Sequence, residues 1–237
     1  MNPKTLLTAL ATLVGSASIG NSTVIGFGNL GGNNTTVPGG LASNATADGN
    51  GFVVSNGTTP NIAVAWDANW DIHTSVRFTG LEDLSVGGGS WDNEGSVPRI
   101  GQLDFGTHTI GFTVDTGFAL VLNSFDFGHT AETTGTTTWD FILRDSSNSI
   151  VWSSVGQVFD NTGTGANVGV LSTFAPNFTG TDGGDYVLTF NRTAETYASN
   201  GRHGIDNFSF NQVSVPEPGA ASLLGVMGSL LLLRRRI

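Results

Sequence analysis

The sequence predicts an all-β protein, a single antiparallel β-sandwich of the jelly-roll kind. Three observations predict it. Apolar residues recur with a period of two along several segments, the spacing that gives a strand one buried face. Glycine supplies 34 of the 237 residues, about twice its usual share. With many Asn and Thr, it marks short strands joined by turns. Residues 21–214 also lack a convincing amphipathic helix, so a dozen or so strands must build the core.

The first strands expected are Val24–Phe27, Phe52–Val54, Ile62–Trp66, Val76–Phe78 and Ile100–Phe105. Gly49-Asn50-Gly51 and Asn56-Gly57 are turn signals on either side of the second. Ile110, Phe112 and Val114 alternate with Thr109, Gly111 and Thr113, and Asp115-Thr116-Gly117 reads as a turn. Phe118–Leu122 is apolar on both faces, as a central strand must be. Phe125 and Phe127 are then out of phase with Phe118, Leu120 and Leu122, which predicts a bulge near Asn123-Ser124. Trp139, Phe141 and Leu143 make an inward face, with Asp140 and Arg144 outward. Ile150–Trp152, Tyr186–Phe190 and Phe208–Phe210 complete the series. An echo between Asp104-Phe105-Gly106 and Asp126-Phe127-Gly128 suggests two strand ends with similar turns.

Charge narrows the function. The whole chain carries −10. Residues 21–214 hold five arginines, no lysine and 18 carboxylates, a net charge of −13. Such a domain repels nucleic acid and anionic lipid. It suits a neutral glycan, or an anionic one bridged by a divalent cation. There is no cysteine, so neither a disulfide nor a thiol nucleophile contributes. No G-x-S-x-G, H-E-x-x-H or phosphate loop is present. The four histidines, at positions 73, 108, 129 and 203, have no metal-ligand spacing. A glycosidase needs two carboxylates across a cleft, and nothing singles out a pair. The expectation is a protein without catalysis of its own.

Two constellations stand out. In Trp66-Asp67-Ala68-Asn69-Trp70-Asp71, the residues Asp67, Asn69 and Asp71 have the alternating oxygens of a calcium loop. Ile72 stands where an EF-hand needs glycine and Phe78 where it needs the bidentate Glu, so the EF-hand form is excluded. The alternative is a polar turn between strands. Trp70 and Trp91 with Asp92 form a candidate glycan site, indole faces stacking on a sugar ring while acids bind hydroxyls. The second constellation is Gly204-Ile205-Asp206-Asn207-Phe208-Ser209-Phe210. Asp206 has the parity of Phe208 and Phe210, which points it toward the core, where a carboxylate needs a partner: backbone N–H groups, Arg202 or Ca²⁺.

The ends read as addresses. Residues 1–20 have a basic start at Lys4, an apolar stretch Leu6–Val14 and the small residues Gly15–Ser18, the pattern of a signal peptide. At the other end, Val215-Pro216-Glu217-Pro218 stiffens the chain. The apolar run Gly219–Leu233 follows, closed by Arg234, Arg235 and Arg236. As a helix the run would span about 22 Å, short of the roughly 30 Å hydrocarbon core. The arginines would hold this end in the cytoplasm.

Residues 215–237 resemble the PEP-CTERM sorting signal of Gram-negative bacteria, with its V-P-E-P motif, short transmembrane stretch and terminal arginines in order. The resemblance implies recognition by a membrane-embedded exosortase. Cleavage near Pro-Glu-Pro would follow transient anchoring in the inner membrane through residues 219–233, with release to the envelope or extracellular matrix. The run Gly204–Phe210 is also similar to the closing strand of many PEP-CTERM ectodomains and of carbohydrate-binding-module-like sandwiches. That similarity implies a structural calcium at Asp206.

Three functional expectations follow for the ectodomain, residues 21–214. The first is a structural protein of the envelope or matrix, associated with exopolysaccharide and biofilm. The second is a lectin-like module using Trp70, Trp91 and Asp92. The third is a plain membrane-anchored ectodomain or a glycosidase.

Overall fold

The computed structural model describes residues 22–27, 35–46, 53–55, 57–74, 99–103, 106–130, 135–160, 170–196 and 202–216. The expected signal peptide, the residues from Glu217 onward and the expected strand Val76–Phe78 lie outside them.

The described residues form strands and turns only. In chain order the strands are β1 (Thr23–Ile25), β2 (Thr35–Thr36), β3 (Val53–Ser55), β4 (Ile62–Trp66) and β5 (Trp70–Thr74). There follow β6 (Arg99–Leu103), β7 (Thr107–Val114), β8 (Phe118–Thr130), β9 (Thr136–Asp145) and β10 (Ile150–Asp160). The last four are β11 (Val170–Phe174), β12 (Phe178–Thr179), β13 (Tyr186–Glu195) and β14 (Arg202–Ser214). They pair into two antiparallel sheets. The larger has nine strands, along β11-β8-β14-β6-β5-β2, with β1, β3 and β12 attached beside that path. The smaller has five, in the order β10-β9-β13-β7-β4.

Alternation explains which face is buried. In β9, Trp139, Phe141 and Leu143 are buried while Asp140, Ile142 and Arg144 are partly exposed, as the sequence pattern predicts. Ile110, Phe112 and Val114 of β7 do the same. These inward faces meet the larger sheet through aromatic rings. Phe112 stacks on Phe208 with ring centroids 6.1 Å apart, and Phe127 lies 5.1 Å from Trp139. Phe125 approaches both Phe141 at 5.5 Å and Phe190 at 5.3 Å. Edge-to-face pairs of this kind add about 0.5–1.5 kcal/mol each beyond the area they bury.

The expected bulge is present. Ser209 pairs with Ser124 and Phe210 with Leu122, so Asn123 is an extra residue on β8. That one insertion lets Leu120 and Leu122 face inward before it and Phe125 and Phe127 after it. An opposite insertion precedes it on β14: Asp206 pairs with Asp126 but Ser209 with Ser124. Asn207, in this stretch, has φ 48°, a left-handed conformation that Asn tolerates better than most residues.

The two edges of the smaller sheet differ. Beside β4, the turn at residues 39–44 supplies partners: the Trp66 N–H donates to the Gly39 carbonyl and the Asn44 N–H to the Ile62 carbonyl. The Val64 N–H donates to Ser43 Oγ. At the far edge, β10 is broken by a register shift between Ser154 and Gln157, where Gly156 has φ 66°. A bulged edge is a poor template for pairing with another strand.

Candidate functional site

The first constellation is a corner of the sandwich. β4 belongs to the smaller sheet and β5 to the larger, so Asp67-Ala68-Asn69 carries the chain from one to the other. Trp66 and Trp70 flank the corner and both turn inward, 5% and 0% exposed. Their rings meet edge to face at 5.2 Å. Trp66 Nε1 donates to the Leu41 carbonyl and Trp70 Nε1 to the Thr109 carbonyl. Trp70 also packs against Phe190 and His108, each at 5.3 Å. The expectation of Trp70 as an exposed stacking platform is therefore corrected. Its indole is a core side chain with its one donor satisfied, and no face is left for a sugar. Trp91 and Asp92 lie outside the described residues.

Asp67 holds this corner together. Its Oδ1 accepts the Asn69 N–H at 2.8 Å. Its Oδ2 accepts the Thr109 N–H, and also Thr109 Oγ1 at 3.1 Å. Both oxygens thus serve a turn and its tie to β7. Asp71 lies on β5, opposite Gln102 and Thr36 in the larger sheet. Asp67 and Asn69 lie in the turn between β4 and β5, and Asp71 on β5 itself. Among the described residues no three His, Asp or Glu side chains come together to hold a metal.

The second constellation lies near the middle of β14. Asp206 is 2% exposed, and its Oδ1 accepts the Asn207 N–H at 2.8 Å. Its expected parity with Phe208 and Phe210 is interrupted by the insertion at Asn207, since Ile205 is as fully buried as Phe208. Asp206 stands instead opposite Asp126 of β8. Asp126 takes a hydrogen bond from Asn207 Nδ2 at 3.0 Å and one from Thr173 Oγ1 at 2.6 Å. Three adjacent strands are laced together here. Sequence reading saw in Asp126-Phe127-Gly128 only the end of a strand, which is where it lies in β8, and missed that Asp126 would tie β8 to its two neighbours.

The third feature is the end of β14. β14 ends at Ser214, the Val215 N–H donates to the Gly117 carbonyl at 2.8 Å, and Pro216 is exposed. Gly117 is itself fixed, its N–H donating to Asp182 Oδ1 at 2.6 Å. The loop bearing Asp182 is held by Tyr186, whose hydroxyl accepts the Thr181 N–H at 2.7 Å. The Gly183 N–H donates to the Phe118 carbonyl. Of the expected sorting residues, Val215 and Pro216 are described; Glu217, Pro218 and Arg234–Arg236 lie outside.

The fold and this geometry define a two-sheet antiparallel β-sandwich. No protein-family model matches the chain, and no curated protein does. Among solved structures it is similar to TmCBM61 in complex with β-1,4-galactotriose, at 11% identity over 66% of this chain and 90% of that one, TM-score 0.30. It is similar to the Agl-KA catalytic domain at 12% identity and TM-score 0.32, covering 65% of this chain but only 26% of that one. For the CBM22-1 xylan-binding domain of Paenibacillus barcinonensis Xyn10C the values are 8% identity, 78% and 99% coverage, and TM-score 0.29.

Proposed function

We propose that this chain is an exported β-sandwich of the cell envelope or extracellular matrix, sorted by an exosortase and acting in a structural, exopolysaccharide-associated role. The observation that carries the reading is the order of Val215-Pro216-Glu217-Pro218, the apolar run and Arg234–Arg236. Its setting supports it. Val215 is tied to Gly117 and Pro216 is exposed, so the motif begins just after the last described strand. In this reading the sandwich is not an enzyme, and jelly-roll connectivity is its finer architecture. The membrane is met only through residues 219–233, before cleavage.

The test is the intact mass of the protein recovered from envelope and medium of its native host. A mass ending near Pro216–Pro218, with the N-terminus cut near residues 17–20, is the expected result. A membrane-bound species that keeps Arg234–Ile237 would sink the sorting reading and leave a plain anchored ectodomain.

With Trp70 in the core, the lectin-like alternative rests on Trp91 and Asp92. A glycan array with the wild type and a Trp91→Ala variant separates the two readings. Saturable binding lost in the variant favours the lectin. Calcium, within the proposal, belongs at Asp206 rather than in the Asp67–Asp71 corner. Asp206 and Asp126 bring two carboxylates to one register position, which a divalent cation would relieve. A melting temperature raised by Ca²⁺ and lowered by chelator, in the wild type but not in Asp206→Asn, is the expected signature.

A further inference from the structure

The outer face of the five-stranded sheet is unlike the rest of this acidic chain. Ile150, Val155, Val158 and Val187, the large hydrophobics standing exposed among the described residues, all belong to this sheet. Register places Ala65, Gly111, Val187, Arg144 and Ile150 in one row across all five strands. The next row along runs Thr109, Thr189, Ile142 and Ser153. Small, uncharged side chains dominate, so the face is flat.

Its charges form a pattern. Asp140 and Arg144 both point outward from β9, and Ile142 lies midway between them. Both are held in place: Asp140 Oδ1 accepts the Gly156 N–H, and Arg144 Nη1 donates to the Asn148 carbonyl. A two-fold axis through Ile142, lying across the strands, would set Arg144 of one copy over Asp140 of another, twice. An isologous interface needs this kind of self-complementarity.

From these observations we infer that the outer face of the β10-β9-β13-β7-β4 sheet is a homodimer interface, in which a second copy of this chain packs its own sheet face-to-face about an axis at Ile142. Charge favours a second copy on this face. A domain at −13 repels itself, least where opposite charges face each other, as Arg144 and Asp140 would here; Asp67, at the β4 margin of the face, has its carboxylate taken by hydrogen bonds from Asn69 and Thr109. Size allows it too. Five strands at about 4.8 Å and eight residues at about 3.4 Å give a face of roughly 650 Å², or about 1,300 Å² for the pair, within the range of specific interfaces. The bulge at Gly156 blocks the simpler route of edge-to-edge pairing through β10. The inference is independent of the sorting signal and stands or falls without it.

The chain has no cysteine, which makes the test direct. Full-length protein carrying the single change Ile142→Cys is treated with a short bis-maleimide in its native envelope or in detergent. A cross-linked dimer is expected, at least tenfold more abundant than with Thr179→Cys, an exposed position on the other sheet. Adding Arg144→Asp should cut the cross-link about tenfold, and adding Asp140→Arg to that variant should restore it. Thermal melts verify folding, and Thr189→Cys replaces Ile142→Cys if the latter unfolds. Cross-linking no greater at Ile142 than at Thr179 overturns the inference. So does a charge reversal without effect, or a double reversal that fails to rescue.

Discussion

The ring of Phe27 rests on the α-carbon of Gly101. A Cβ built on Gly101 would lie 2.8 Å from Phe27 Cζ, closer than real Cβ atoms come. Phe27 itself has φ 58°, an uncommon conformation for a bulky residue. It is held there by its packing, fully buried and edge to face with Trp66 at 5.7 Å. The contact fills a gap on one side of β14, where β6 stops pairing at Ile205 and β1 starts at Phe208.

Gly101→Ala therefore forces the Phe27 ring to move, and should destabilise the fold by about 1–3 kcal/mol, the usual cost of overpacking. Denaturant melts measure it. A Gly101→Ala, Phe27→Leu double variant should lose less than the two single losses combined, because the two residues share one contact.

Trp70→Ala should act on stability and not on a sugar. The indole is fully buried and hydrogen-bonded, so truncation should cost about 3–5 kcal/mol. A variant that melts like the wild type would place Trp70 at the surface and revive it as a stacking residue.

Asp67→Ala removes the acceptor for Asn69 and Thr109 and leaves a partly buried N–H without its partner. A loss of about 1–3 kcal/mol is expected. Because the role is a turn cap, the loss should be the same with calcium or with chelator. A loss seen only with calcium present would return Asp67 to the metal ligands.

Tyr186→Phe deletes one hydroxyl, the acceptor of the Thr181 N–H, and should cost about 0.5–1.5 kcal/mol. Gly180→Ala should cost more, since its added Cβ would fall 2.6 Å from the same hydroxyl. Either change loosens the loop that fixes Gly117, the partner of Val215. Limited proteolysis near Pro216 should speed up in both.

Most of the sandwich was legible because burial on one face writes a period of two into the sequence. Ile62–Trp66 is a strand with those same bounds, and the parity slip located the extra residue at Asn123. The strand Trp70–Thr74 was hidden by an ambiguity. Polar residues at every second position describe a calcium loop and the outward side of a strand equally well. Only the buried Trp70 and Ile72 between them decide for the strand. Most of β10 escaped notice for the opposite reason: an edge strand with a bulge at Gly156 buries little of its middle, so Ser153–Val158 show no alternation. Nothing in the sequence marks Phe27 for a positive φ, because its surroundings impose that conformation. The burial of Trp70 was equally open, since its immediate neighbours Asn69 and Asp71 are polar.

One consequence follows from the position of β14. This 13-residue strand pairs with β8 along one side and with β6 and β1 along the other. Of the described strands it is also the final one to leave a ribosome. Until it arrives, the larger sheet is three pieces with open edges, β11-β8-β12, β6-β5-β2 and β1-β3. The larger sheet cannot assemble progressively from the N-terminus, and is completed in one late step once β14 is available. Any truncation before residue 202 should then leave an insoluble or degraded chain rather than a smaller folded one.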